Sequence, residues 1–418
     1  MTRARRRRNR LVDGPARPRS VRDSGPVTPN DHAVAVWRIP AMRQLVVVTF
    51  LGFASFCLTL SSLPSYAASH GASSGTAGLV TTVMLVCTVG TQMLVPAAVD
   101  RFGLGPVLAL GLVALGLPAP LYLLAHDLWW LLVVSAVRGL GFAVLTVLGS
   151  TITARIAPPG RMGEAVGLYG LAIALPNLLA VPGGVALQAD GRFALVAFLA
   201  ASPVLALPFV PALTRGVVAH SRDGGGTVGS ARSAVRAVAS PALLLLVVTL
   251  AGGGVVTFLP IARPDGVVAA VALLLFGATA AVARWAVGLA ADRLGVQLLL
   301  PASLLTSAVG LVAVGTSLVA GEGAGTVAGV LVGATVFGIG YGATQNLTLV
   351  AALASTPQDN IASAVWNVGF DTGTALGAFA VGAVAATGFG LPWTFVASAA
   401  PILLVLPIAR VRPVMRPA

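Results

Sequence analysis

Asp371 is the residue most able to do chemistry in this sequence, because it stands about eleven residues into a long apolar run near 360–386. An ionised carboxylate at the centre of a bilayer costs at least about 2.5 kcal/mol on insertion scales, so it must face a cavity or a partner. Desolvation favours its protonated form, which suits a group that picks up and releases a proton. The plainer role is a hydrogen bond to Thr372, Thr374 or Asn367 that fixes helix packing. Arg138, about ten residues into another apolar run, is a second mid-run charge. Its guanidinium suits a carboxylate or an anionic substrate group, or else it snorkels or binds backbone carbonyls. The two charges fall in opposite halves of the chain, and their partners stay open at this level.

Around them are uncharged polar residues inside apolar runs: Asn177, Gln345, Asn346 and Asn367. Interhelical hydrogen bonds in membranes average about 0.6 kcal/mol, so each fits either packing or a cavity wall. Tyr341 and Trp366 could stack on an aromatic ligand or fill the core. Arg284, one turn before Gly288 and near the cytosolic face, reads as a snorkelling or gate residue and not as a ligand. Glu164 opens a helix, where a carboxylate favours the positive end. His32, His70, His126 and His220 lie outside the runs or at their edges, and Cys57 and Cys87 lie within them as small buried hydrophobes. The pattern contains no phosphate-binding glycine loop, metal-ligand cluster or nucleophile triad, so an enzyme, a cofactor and a metal are not expected.

The elements that must position these residues are membrane helices. Only 9% of the 418 residues are charged and 57% are hydrophobic, against about 25% charged in a soluble domain. Mean hydropathy is +0.93. Apolar runs of about 20 residues or more, the length that crosses a roughly 30 Å hydrocarbon core, fall near 44–65, 75–98, 105–125, 128–153, 163–187 and 191–212. Six more follow near 241–261, 265–290, 297–319, 324–353, 360–386 and 390–409. The expected fold is therefore an all-α integral membrane protein with twelve spans in two six-helix halves, 44–212 and 241–410. A cytosolic linker over 213–240 joins them.

The net charge of +13 does not indicate nucleic acid, because every basic residue is Arg and the Arg residues sit in the tails and alternate loops. With the N-terminus inside, all but Arg138, Arg192, Arg263 and Arg284 fall on the cytosolic side, which is the positive-inside bias. Residues 1–43 read as an Arg-rich disordered cytosolic tail, and 411–418 as a second cytosolic tail. No apolar segment in the first 40 residues forms a cleavable signal.

Two charged turns interrupt the apolar pattern. Gly288-Leu289-Ala290-Ala291-Asp292-Arg293-Leu294-Gly295 has a near copy in Asp100-Arg101-Phe102-Gly103, each after the second run of its half. An Asp-Arg pair marks where the chain leaves lipid, and Gly103 and Gly295 allow a tight reversal. Further along, Gly139 and Gly141 match Gly338 and Gly340, and Gly170 matches Gly369, at a common offset.

With these turns, the chain resembles the major facilitator superfamily over about residues 44–410. Arg138-Gly139-x-Gly141 resembles the family's fourth-helix segment. Gln345-Asn346 and Asn367-x-x-x-Asp371-x-Gly373 resemble a bacterial subgroup of exporters. Pro96 stands where the family prefers Gly, neither turn is followed by the usual basic residues, and Pro182-Gly183-Gly184 is a partial antiporter signature. The resemblance implies a monomeric secondary transporter of the bacterial inner membrane, with both termini cytosolic. It implies export of a drug-like compound or secondary metabolite by alternating access, with the proton as coupling ion and the turn residues as conformational elements. Import on the same fold and a non-transporting membrane sensor are the alternatives.

Overall fold

Long apolar segments in lipid form helices, which satisfy every backbone hydrogen bond within the segment, and in this computed structural model they do so almost end to end. Residues 35–71, 79–220, 230–262, 266–321 and 323–409 are described; both expected tails fall largely outside them. In chain order, α1 is Pro40–Ser69, and α2 is Leu79–Gln92 followed by Val95–Phe102. Next come α3, Leu104–Gly116 with a 3-10 turn at Ala119–Leu123, then α4, Leu128–Ile156, and α5, Met162–Ala189. The sixth span, α6, is a chain of short pieces, Phe193–Leu199, Ser202–Phe209 and Val210–His220. After it come α7 (Ala231–Ala262), α8 (Gly266–Leu294), α9 (Val296–Val319), α10 (Ala324–Ser355), α11 (Asp359–Val384) and α12 (Gly390–Ala397 with Ala399–Ala409).

Ten helices among the described residues are long and apolar enough to cross a membrane, and α2 makes an eleventh despite a 55° bend. The helix α11 completes the expected series. It is 26 residues long, but Asn360, Asn367 and Asp371 lower its hydropathy. The bend in α2 was not expected: the helix breaks at Met93–Leu94, just before Pro96, whose ring cannot continue the helical ladder. Two boundaries also differ from the sequence reading. The first helix opens at Pro40, where a missing N–H costs nothing, and the preceding Val36 is buried and donates its N–H to Glu164 (3.3 Å). Most of the expected linker is helical, since α6 runs to His220 and α7 starts at Ala231.

The surface is that of a membrane protein: Trp129, Val267 and Leu404 are 76%, 73% and 77% exposed, which is tolerable only where lipid covers them. Inside, one apolar core is drawn mainly from α1 to α6, around Leu45, Leu108, Phe142 and Ile152. Another comes from α7 to α12, around Val248, Leu304, Phe337 and Phe395. The same close helix contacts recur in both. A Cβ on Gly139 would meet Met84 O at 2.3 Å and one on Gly338 would meet Phe276 O at 2.4 Å. Likewise Gly184 lies against Leu58 O and Gly377 against Leu250 O.

Candidate transport site

The two turns have nearly the same backbone. Gly103 has φ 85° and ψ 159°, Gly295 has φ 81° and ψ 148°, a region that residues with a Cβ rarely adopt. Their aspartates differ. Asp292 reaches across to the start of α5, where its carboxylate accepts the backbone N–H of Gly163 (2.8 Å) and Glu164 (2.9 Å). Those donors have no partner inside their own helix, and the carboxylate also meets the positive helix end. Asp100 is exposed, and no bond to it is found among the described residues. Arg101 lies over Phe102 (5.3 Å), and Arg293 is exposed beside Asp292.

Just above Asp292 the backbones of α5 and α8 touch. A Cβ on Gly163 would stand 2.2 Å from Gly288 O, and one on Gly288 would stand 2.2 Å from Gly163 O. Asn346 of α10 ties this contact, donating to Arg284 O (2.9 Å) and Gly163 O (3.3 Å). A second set of contacts joins α11 to α2 and α4. Asp371 accepts from Gln92 Nε2 at 2.7 Å, and the same amide reaches Thr146 Oγ1 at 3.3 Å. Asn367 donates to Thr146 O (3.3 Å), Ser150 Oγ (3.3 Å) and Ser363 O (2.8 Å). At the helix ends Arg155 pairs with Asp359 (3.7 Å) and reaches Asn360 (3.4 Å). All these bonds between the first and last six spans fall between mid-span and the end that carries the turns.

Arg284 departs from its sequence reading. It is only 5% exposed and does not snorkel, because α8 continues for ten more residues and packs on α5 along that stretch. Its Nη1 donates to Gln345 Oε1 at 2.9 Å, while Nε and Nη2 have no acceptor among the described residues. Tyr169 of α5, also buried, donates its hydroxyl to Thr146 O (3.3 Å).

Arg138 and Asp371 do not meet. Arg138 is completely buried within the first six spans. It donates from Nε to Leu115 O (3.0 Å), from Nη1 to Thr59 Oγ1 (3.0 Å) and Tyr122 Oη (3.4 Å), and from Nη2 to Ser55 O (3.1 Å) and Oγ (3.0 Å). A guanidinium has five N–H donors, and all are used. Trp366 donates to Thr348 Oγ1 (3.1 Å), stacks on Phe370 and is 3% exposed. Tyr341, partly buried, packs on Phe276 and Phe337. Asn177 is exposed and, among the described residues, bonds only its own helix, at Ile173 O (3.0 Å). Thus Asp371, Asn346 and Asn367 bond across the seams between the two sets of helices and Trp366 packs in the apolar cluster between them, whereas Gln345 bonds Arg284 within the last six spans and Arg138 and Asn177 are engaged elsewhere.

Sequence reasoning missed Gln92, Thr146 and Tyr169. For Gln92 a signal existed: it stands eight residues before Asp100, as Arg284 stands eight before Asp292. Gln92–Thr146 and Arg284–Gln345 are then equivalent pairs, each bridging the second and fourth helices of a half.

A helical bundle with paired turns and polar groups buried where its two sets of spans meet is the architecture of a membrane carrier. The family model of the Major Facilitator Superfamily matches residues 45–364, and the chain belongs to that superfamily. It is a multi-pass integral membrane protein. An MFS-type transporter of Aspergillus fumigatus is 27% identical over 173 residues, which is 40% of this chain and 40% of that relative. Among solved structures, the Escherichia coli fucose:proton symporter FucP in its outward conformation superposes with a TM-score of 0.70 at 14% identity, covering 90% of this chain and 99% of that one. The human organic anion transporter MFSD10 gives 0.67 at 18% identity, over 88% and 100%. At these identities the structural likeness establishes the fold.

Proposed function

We propose that this chain is a proton-coupled secondary transporter that exports a small organic molecule, such as a drug-like compound or secondary metabolite, across a bacterial inner membrane. The observation that carries the reading is the carboxylate of Asp371, placed mid-span at a seam with the neutral amide of Gln92 as its hydrogen-bond partner. An acid without a cationic partner there is costly when ionised, so gaining a proton changes the energy of the closed seam. That links protonation to opening, and an alternating-access carrier needs such a link. The halves 44–212 and 241–410 are the moving units, Gln345, Asn346 and Asn367 border the path, and the turns lie on the cytosolic side. The Arg bias supports that orientation: Arg101, Arg155, Arg161, Arg215, Arg232, Arg236 and Arg293 cluster at the turn end. All inter-half bonds described above lie at that end, which supports reading the conformation as closed to the cytosol.

Inverted vesicles with an imposed pH gradient test the reading. Uptake of a compound panel should follow the gradient in the native chain and fail in Asp371→Asn at matched membrane abundance. Gradient-driven accumulation that persists in Asp371→Asn with unchanged pH dependence overturns it. Accumulation only in right-side-out vesicles would instead establish import. Cysteines introduced at Ser69 and Ser230, after replacement of Cys57 and Cys87, fix orientation. An impermeant thiol reagent applied outside intact cells should label the first alone.

A further inference from the structure

The buried charge that proton coupling does not use is Arg284. Its guanidinium is held by one bond, Nη1 to Gln345 Oε1 at 2.9 Å, while Nε and Nη2 have no acceptor among the described residues. Those two nitrogens form one edge of the planar group, with parallel N–H vectors spaced to match the two oxygens of a carboxylate. Gln345 fixes the rotation of the plane, so the edge is presented in one orientation. That edge lies against α5 at Gly170, whose missing Cβ leaves the room: a Cβ there would stand 2.3 Å from Nε and 2.5 Å from Cδ. The fully engaged Arg138 shows how this fold treats a purely structural arginine, with five donors bound to neutral acceptors.

We propose that Arg284 recognises the substrate: its Nε/Nη2 edge binds the carboxylate of an organic acid when α5 and α8 separate. This rests on the transport reading and narrows it to organic anions. The seam is shut in this conformation, with Gly163 and Gly288 in backbone contact, so the edge becomes accessible from the turn end on opening. Asp371, held separately by Gln92, stays available to carry the proton while the anion is bound.

The test uses the purified full chain in lipid nanodiscs, with benzoate as probe and benzamide as its uncharged isostere, followed by calorimetric titration. Gly288→Val, whose side chain props the seam open, is included as the accessible form. Benzoate should bind, more tightly to Gly288→Val than to the native chain, and benzamide at least about tenfold more weakly. Arg284→Gln in either background should lose about ten- to a hundredfold in benzoate affinity, and Arg284→Lys should recover part of it. The lysine variant also controls for folding. Equal binding of benzoate and benzamide, unchanged affinity in Arg284→Gln, or no benzoate binding by Gly288→Val would each overturn the proposal. Its failure is separable from that of the transport reading. Proton-driven movement of uncharged compounds with no Arg284-dependent anion binding sinks only the carboxylate site. Arg284-dependent binding without any gradient-driven transport sinks only the coupling.

Discussion

The seam between α5 and α8 and the seam between α2 and α11 occupy equivalent places in the two halves, yet they are shut by different physics. In the first, backbone meets backbone at Gly163 and Gly288, and Asp292 caps α5 through two N–H groups. In the second, Pro96 and Ala362 stand at the matching positions, α2 is bent by 55°, and Asp100 stays exposed. What closes that side is a side-chain bond, Gln92 to Asp371. In the proposed transport cycle, a rigid van der Waals contact paired with a titratable hydrogen bond would let one seam act as a hinge surface and the other respond to protonation. Two identical seams would give the halves no such division of roles.

Breaking the backbone contact should have the largest effect. In Gly288→Val the added side chain overlaps the carbonyl of Gly163. Overpacking of this kind costs about 1–3 kcal/mol, enough to depopulate the closed state roughly five- to a hundredfold. Transport should fall accordingly at normal membrane abundance, and a cysteine at Asn360 should alkylate faster from the turn side. An unchanged alkylation rate would show that the glycines are not what limits closure. Next comes Gln92→Leu, which leaves the Asp371 carboxylate without its donor. Loss of a hydrogen bond to a charged group costs about 1.5–3 kcal/mol, part of which protonation of Asp371 offsets. We expect about a tenfold slower exchange and an altered pH profile, whereas Gly288→Val should leave the shape of the profile intact. If both variants changed that shape alike, the two seams would not have separate roles.

The turns give a smaller and more direct contrast. Asp292→Asn weakens a charged helix cap worth about 1 kcal/mol, and transport should slow roughly fivefold. Asp100→Asn, which breaks no bond found among the described residues, should stay within about 0.5 kcal/mol of the native chain. Equal defects measured at matched abundance would contradict the asymmetry. The smallest effect is expected from Pro96→Gly combined with Ala362→Gly, which restores the small residues of the first seam to the second. Closer approach of α2 and α11 offsets the roughly 0.5–1 kcal/mol that a glycine costs inside a helix, so opening should change by no more than about twofold, and Asp371 is untouched.

The spans, the repeat and the two turns were legible because they depend on local properties: run length against bilayer thickness, charge at the ends, and glycine where the chain reverses. Asp371 stood out for the same reason, as an acid in an apolar run. Two arginines, however, were read in sequence as a mid-run charge (Arg138) and a snorkelling or gate residue (Arg284), and both proved to be buried. Arg138 spends all five donors on Ser55, Thr59, Leu115 and Tyr122, while Arg284 keeps an edge free beside Gly170. Both were placed in the right helices, but nothing in the run of residues says which neighbours bring acceptors. The partner of Asp371 was equally hidden, since Gln92 lies 279 positions away. Hydropathy and spacing act along the chain and decide which segments enter the membrane. Hydrogen-bond satisfaction is a property of the packed whole, so only the tertiary structure decided which buried arginine has all its donors bound and which keeps donors without acceptors among the described residues.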